Sequence, residues 1–130
     1  MSLGRYPIRA TVVVADIAPA VAFYEGALGL EPAQAIDELV RIYACGDGTL
    51  LQVYASPDHV GKATGTVATW IVDDLDAVVA ELAGRGLTFE QYAAPIDTDS
   101  RGVHDAGYVR LAWFCDPDGN TFSLEQPVAA

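Results

Sequence analysis

Val14-Ala15-Asp16-Ile17 and Val72-Asp73-Asp74-Leu75 carry the same pattern 58 residues apart, and Val21-Ala22 recurs as Val79-Ala80 at the same offset. Further along, Asp47-Gly48 recurs as Asp118-Gly119 at an offset of 71, which sets Gln52 opposite Ser123. Two matches in the same order indicate two copies of one structural unit. Working outward, Ile8 to Val14 is rich in β-branched residues and reads as a strand, and Asp16 is placed to cap a helix. Pro19 falls in the first turn of that helix, Val21, Tyr24 and Leu28 recur at helical spacing, and Gly29 suits its end. Strand-like runs follow at Leu39 to Ala44 and Thr49 to Tyr54, joined by the turn Gly46-Asp47-Gly48.

After the loop Ala55 to Gly65 the pattern restarts. Val67 to Val72 reads as a strand, and Asp74 caps a helix with Leu75, Val78, Val79 and Leu82 on one face and Gly84 and Gly86 at its close. Strands are expected at Thr88 to Tyr92, Tyr108 to Phe114 and Thr121 to Glu125. Asp116-Pro117-Asp118-Gly119 joins the last two as a type I turn. A single unit leaves one sheet face uncovered, so two units facing each other make the compact solution. The expected fold is α+β: one domain over residues 1–130, with two tandem βαβββ modules forming a curved, mixed, eight-stranded sheet around a cavity. Module one spans about 6–56, the linker about 57–65 and module two about 66–127.

Composition narrows the function classes. With 52% apolar and 19% charged residues, the 130-residue chain can bury a core. It has no apolar run of the roughly 18 residues a spanning helix needs, and the opening Met1-Ser2-Leu3-Gly4-Arg5 lacks a secretory-type apolar stretch. A net charge of −11 repels a phosphate backbone, so neither nucleic acid nor membrane is an expected partner. Cys45 and Cys115 are isolated and outside any Cys-x-x-Cys spacing, and read as buried free thiols of a cytoplasmic protein.

The chain resembles the vicinal oxygen chelate superfamily, which includes glyoxalase I, bleomycin-resistance proteins, fosfomycin-resistance enzymes and extradiol dioxygenases. Val14-Ala15-Asp16-Ile17, Ala22-Phe23-Tyr24 and Leu28-Gly29-Leu30 are similar to the family's opening. Ala112-Trp113-Phe114-Cys115-Asp116-Pro117-Asp118-Gly119-Asn120 is similar to the hairpin before its last strand. These are cap, turn and core residues, so they speak for fold more than for chemistry. The resemblance implies a small-molecule ligand and a homodimer. It puts the metal ligands of the metal-dependent members at Arg9, Gln52, Val67 and Ser123. None of these is a carboxylate or imidazole, arginine repels a cation, and Gln52 alone cannot hold one. No metal and no cofactor is therefore expected, and glyoxalase, dioxygenase and metal-dependent fosfomycin chemistry are disfavoured.

Strand alternation then proposes a cavity lining. Arg9, Thr11 and Val13 share one face, as do Gln52 and Tyr54, Thr69 and Ile71, and Thr121, Ser123 and Glu125. Burying Arg110 against a helix is expensive, so Arg110, with Tyr108, Ala112 and Phe114, is turned inward. Arg41 and Tyr43 are turned inward by the same reasoning. The expected ligand-binding residues are thus Arg9, Arg41, Tyr43, Gln52, Tyr54, Thr69, Tyr108, Arg110, Ser123 and Glu125. The arginines either grip an anion or pair with Glu38, Glu90 or Glu125, and Gln52 and Ser123 either orient a polar ligand or bond each other. Ala93 to Gly107 reads as a lid containing His104-Asp105, a candidate acid/base pair, whereas His59 faces solvent in the linker. Two main functions stay open. One is a metal-independent protein binding or sequestering an aromatic or anionic compound. The other is a lyase or isomerase using His104, Tyr54, Tyr108 or Glu125 as acid/base groups. A scaffold whose cavity is filled by side chains is a third.

Overall fold

The computed structural model of the chain describes residues 2–128. It divides into two units, Met1–Val60 and Gly61–Ala130. In the first, β1 (Ala10–Val14) buries Val12 and Val14 and exposes Thr11, the alternation of a strand with one covered face. The extended Asp16 accepts a hydrogen bond from the Ala18 amide at 3.4 Å and starts α1 (Ile17–Val21). Pro19 is tolerated there because the first four helical amides lack carbonyl partners in any case. The helix widens into a π-helical turn, Ala22–Ala27, which buries Tyr24, and the chain leaves through Gly29 at φ 69°.

Three strands complete the unit: β2 (Glu31–Asp37), β3 (Val40–Ala44) and β4 (Leu50–Ala55). Their order is β1-β4-β3-β2, with β1 parallel to β4 and the other pairs antiparallel. The strand β2 was not anticipated. It lies at the sheet edge, carries Pro32, and slips register twice against β3, so it shows no clean alternation.

The second unit repeats the plan with β5 (Thr66–Ile71), α2 (Leu75–Gly84), β6 (Val103–Asp105), β7 (Val109–Cys115) and β8 (Thr121–Pro127). The order is β5-β8-β7-β6, with β5 parallel to β8. Asp74 accepts from the Ala77 amide at 3.1 Å, and Gln126 of β8 reaches over to accept from the Leu75 amide at 2.8 Å, so two of the helix's first amides are satisfied. Leu75, Val79 and Leu82 are buried, as the helical spacing requires. Each contributes about 1.5–3 kcal/mol relative to exposure. In the hairpin turn, the Gly119 amide donates to the Asp116 carbonyl. The buried Asp116 carboxylate accepts from the Asp118 and Asn120 amides and the Asn120 side chain.

The α+β class and the paired modules thus stand, with two corrections. The strands form two four-stranded sheets, one per unit, rather than one of eight. Thr88 to Tyr92 is not a ladder strand: only Phe89 bridges Phe114, and the fourth strand is Val103–Asp105, inside the segment read as a lid. The reason is a close approach. Gly102, at φ 91°, lies against Phe89 and Glu90, which lets β6 take the place beside β7.

Candidate functional site

Each sheet has a face covered by its helix and a second face whose residues are the candidate ligand contacts. In the first unit the parallel pairing of β1 with β4 puts Thr11 beside Gln52 and Val13 beside Tyr54, and the antiparallel pairing puts Ile42 opposite Gln52. At the end of this face the Arg9 guanidinium donates to the Gln52 side-chain oxygen at 2.9 Å. Arg9 is exposed and, among the described residues, has no ion-pair partner. Its charge is held in place by a neutral amide, which leaves it available to an anion.

Arg41 and Tyr43 are corrections. They pair with Val53 and Leu51, whose side chains are buried on the helix side. The Tyr43 ring, 1% exposed, stacks on Tyr24 at 6.0 Å, and its hydroxyl donates to Glu25 at 3.0 Å. Burial, and then the Glu25 hydrogen bond, push the phenol's pKa well above its ordinary value. One guanidinium nitrogen of Arg41, Nη1, donates to the Asp37 and Val40 carbonyls.

In the second unit β8 sets the face. Thr69 and Ile71 lie beside Ser123 and Glu125, and Trp113, Leu111 and Cys115 lie opposite Ser123, Glu125 and Thr121. Ser123, 3% exposed, bonds the Thr69 hydroxyl at 2.6 Å rather than Gln52. Arg110, Ala112 and Phe114 therefore face α2, a second correction. The cost that argued against this is met by Asp76 in the first turn of α2. Both its oxygens accept from Arg110, at 2.9 and 3.0 Å, and Arg101 adds a third bond at 2.7 Å. These guanidinium contacts, Arg110's first, hold the Asp76 carboxyl down at about 2. The pairing expected with Glu38, Glu90 or Glu125 is made with Asp76 instead. Tyr108 stands before β7, 78% exposed.

Trp113 and Tyr92 are the residues that sequence reasoning missed, and they gather around the candidate His104. The Trp113 ring is met edge-on by Tyr92 at 5.3 Å and stacked by His104 at 6.4 Å, which makes a three-ring platform beside Thr69, Ser123 and Glu125. Burial and then Glu90 raise the pKa of Tyr92, and burial raises that of Cys115. The turn itself held the signal: with Gly119 at positive φ the hairpin closes from Asp116 to Asn120, which pairs Cys115 with Thr121, and counting back in twos reaches Trp113 and Leu111. Cys45 and Cys115 are free, and they are half-buried where burial was expected.

Within the second unit the acid/base candidates do not assemble. His104 and Asp105 alternate along β6, and the Asp105 carboxylate accepts from the Gly107 amide. His104 pairs with Leu111, which pairs with Glu125, so a whole strand separates that histidine from that carboxylate. Nor does the donor set fit a divalent cation. Arg9 holds Gln52, Val67 lies at a bulge in β5, and Ser123 holds Thr69. Among the described residues no three His, Cys, Asp or Glu side chains are grouped to bind a metal.

The family model of the Glyoxalase/Bleomycin resistance protein/Dioxygenase superfamily matches residues 8–124. No curated protein matches the chain. Among solved structures, a glyoxalase/bleomycin resistance protein from Catenulispora acidiphila DSM 44928 is 30% identical, with 93% of this chain and 97% of that chain covered and a TM-score of 0.68. A glyoxalase/bleomycin resistance protein/dioxygenase from Alicyclobacillus acidocaldarius is 16% identical, with 99% and 96% covered and a TM-score of 0.73. The fosfomycin resistance protein FosX from Listeria monocytogenes is 15% identical, with 95% and 93% covered and a TM-score of 0.67. The last two likenesses speak for the fold alone.

Proposed function

The chain belongs to the Glyoxalase/Bleomycin resistance protein/Dioxygenase superfamily, and from that premise we propose that it is a metal-independent small-molecule binding protein that sequesters an aromatic or anionic compound. The observation that carries this reading is Arg9: an exposed guanidinium, oriented by Gln52, with no carboxylate partner among the described residues. Arg110 and Arg101 are matched by aspartates and Arg41 turns to the helix side, so of these four arginines Arg9 is the one that places a charge without a carboxylate partner on the sheet face away from the helix. On the second unit, the Trp113 platform supports an aromatic compound in its own right, since an indole face gives a flat ring both area and favourable stacking geometry.

The test is calorimetric titration of aromatic carboxylates, with neutral analogues as controls. Arg9→Ala is expected to weaken carboxylate binding by about 1.5–3 kcal/mol, the range for charge-assisted hydrogen bonds, and to leave the neutral analogue's binding unchanged. Chelator should change neither. Near-stoichiometric zinc, nickel, manganese or iron by elemental analysis, with binding lost to chelator and restored by metal, overturns the reading. We also read the protein as a cytoplasmic homodimer, and a monomer by light scattering at working concentrations counts against that.

A further inference from the structure

We infer that Asp76, on the helix side of the second unit, is a positioning residue for the Trp113 platform on the opposite side of the sheet, acting through the segment Gln91–Gly102. The inference rests on reading that platform as a ligand surface.

The segment is tied at both ends. At its start the Glu90 amide donates to the Trp113 carbonyl at 2.8 Å, and Tyr92 sets its ring edge-on against Trp113. Tyr92 and Thr98 then close a loop: the Thr98 amide donates to the Tyr92 carbonyl at 3.0 Å, and the Tyr92 amide donates to the Thr98 hydroxyl at 2.8 Å. The next residue, Asp99, accepts from the Arg101 guanidinium at 2.8 Å. The same guanidinium donates to Asp76 at 2.7 Å. Arg110 of β7 donates to both Asp76 oxygens, sharing Oδ1 with Arg101. An unbroken series of contacts thus runs from Asp76 through Arg101, Asp99, Thr98 and Tyr92 to the indole.

Between α2 and this segment lies a cleft of about 350 Å³, lined by Val79, Ala83, Leu87, Phe89, Ser100 and Arg101. The segment is therefore not packed flat on the helix, and the fastening to Asp76 sets its distance from α2. Release of that fastening gives Tyr92 freedom to leave the indole edge. A ligand would then meet only Trp113 and His104 in place of a three-ring platform.

The experiment uses the full chain without ligand, so its outcome is independent of the binding reading. In a Trp70→Phe background Trp113 is the one remaining indole, because the sequence has two tryptophans. Arg101→Gln is expected to speed hydrogen exchange at the Tyr92, Thr98 and Asp99 amides about two- to fivefold, the factor an exposed ion pair is worth. Acrylamide quenching of Trp113 should increase with it. Asp76→Asn should reproduce both effects. Glu81→Gln, which breaks the Arg85 pair elsewhere on α2, should produce neither. High salt on the unsubstituted segment, which screens exposed pairs without any risk to folding, should move both readouts in the same direction. Faster exchange with unchanged Trp113 quenching overturns the inference, and so does unchanged exchange.

Discussion

Tyr43 and Asp76 are each held by a neighbour of known identity, and the two titrate in opposite senses. The Tyr43 hydroxyl donates to Glu25 inside the first unit, and burial followed by that carboxylate disfavours the phenolate. Its pKa is raised in the folded chain, so its contribution is intact below the ordinary tyrosine value of 10.0 and is lost as pH climbs above it. Tyr43→Phe should cost about 0.5–1.5 kcal/mol in chemical denaturation, the net worth of one such bond. It should also remove one late-titrating tyrosine from the alkaline absorbance curve. Asp76 behaves in reverse. Its pKa falls from 3.8 to about 2 because Arg110 and Arg101 bond the ionised form. That stabilisation is present above 3.8 and disappears as pH drops toward 2. Asp99 shifts the same way, chiefly through the Val103 amide. Melting temperature against pH should therefore fall less steeply between pH 4 and 2 in Asp76→Asn than in the parent, and an identical slope would refute the pairing in solution.

The element most exposed to a single change is the passage from the segment Gln91–Gly102 into β6. A Cβ on Gly102 would stand 2.7 Å from the Phe89 Cβ and 2.9 Å from the Glu90 carbonyl oxygen, at a φ of 91°. Neither neighbour is the free end of a flexible chain, so Gly102→Ala should destabilise by more than about 1 kcal/mol, with β6 amides losing exchange protection first. If thermal stability is unchanged, the close approach is not a constraint. This contact also explains what could be read in advance. The caps Asp16 and Asp74, the helix face of Leu75, Val79 and Leu82 and the Asp116 turn are local signals, and all were legible. The strand β2, with Pro32 and two register slips, had no local period to read, and β6 owes its place to Gly102 lying on Phe89, a contact between distant residues. For β3 and β7 the period was visible but the face was assigned wrongly. Keeping Arg110 away from a helix is sound only when no carboxylate waits there, and Asp76 does.

At the scale of the whole molecule, the repeat and the charge each leave a mark. The offset between copies grows from 58 at the helices to 71 at the hairpins because the second unit carries the extra segment before β6. That same segment brings Tyr92 to Trp113. The net charge of −11 surrounds the chain with a field that repels anions at long range, although Arg9 attracts them on contact. The two effects act at different distances, so salt separates them. The screening length falls from about 30 Å at 0.01 M to about 8 Å at 0.15 M. An approaching aromatic carboxylate is then relieved of the repulsion, and its association rate constant should rise with added sodium chloride in stopped-flow measurements. The rate constant for an aromatic amine of the same shape should fall. Once the carboxylate is bound, salt weakens the Arg9 contact, so dissociation should quicken as well. Arg9→Ala should abolish the salt dependence of dissociation and leave that of association nearly intact, because one charge in a net of −11 changes the distant field little. A carboxylate whose association slows with salt would mean that local positive potential governs the approach, and the assignment of Arg9 as a contact charge within a repulsive field would have to be abandoned.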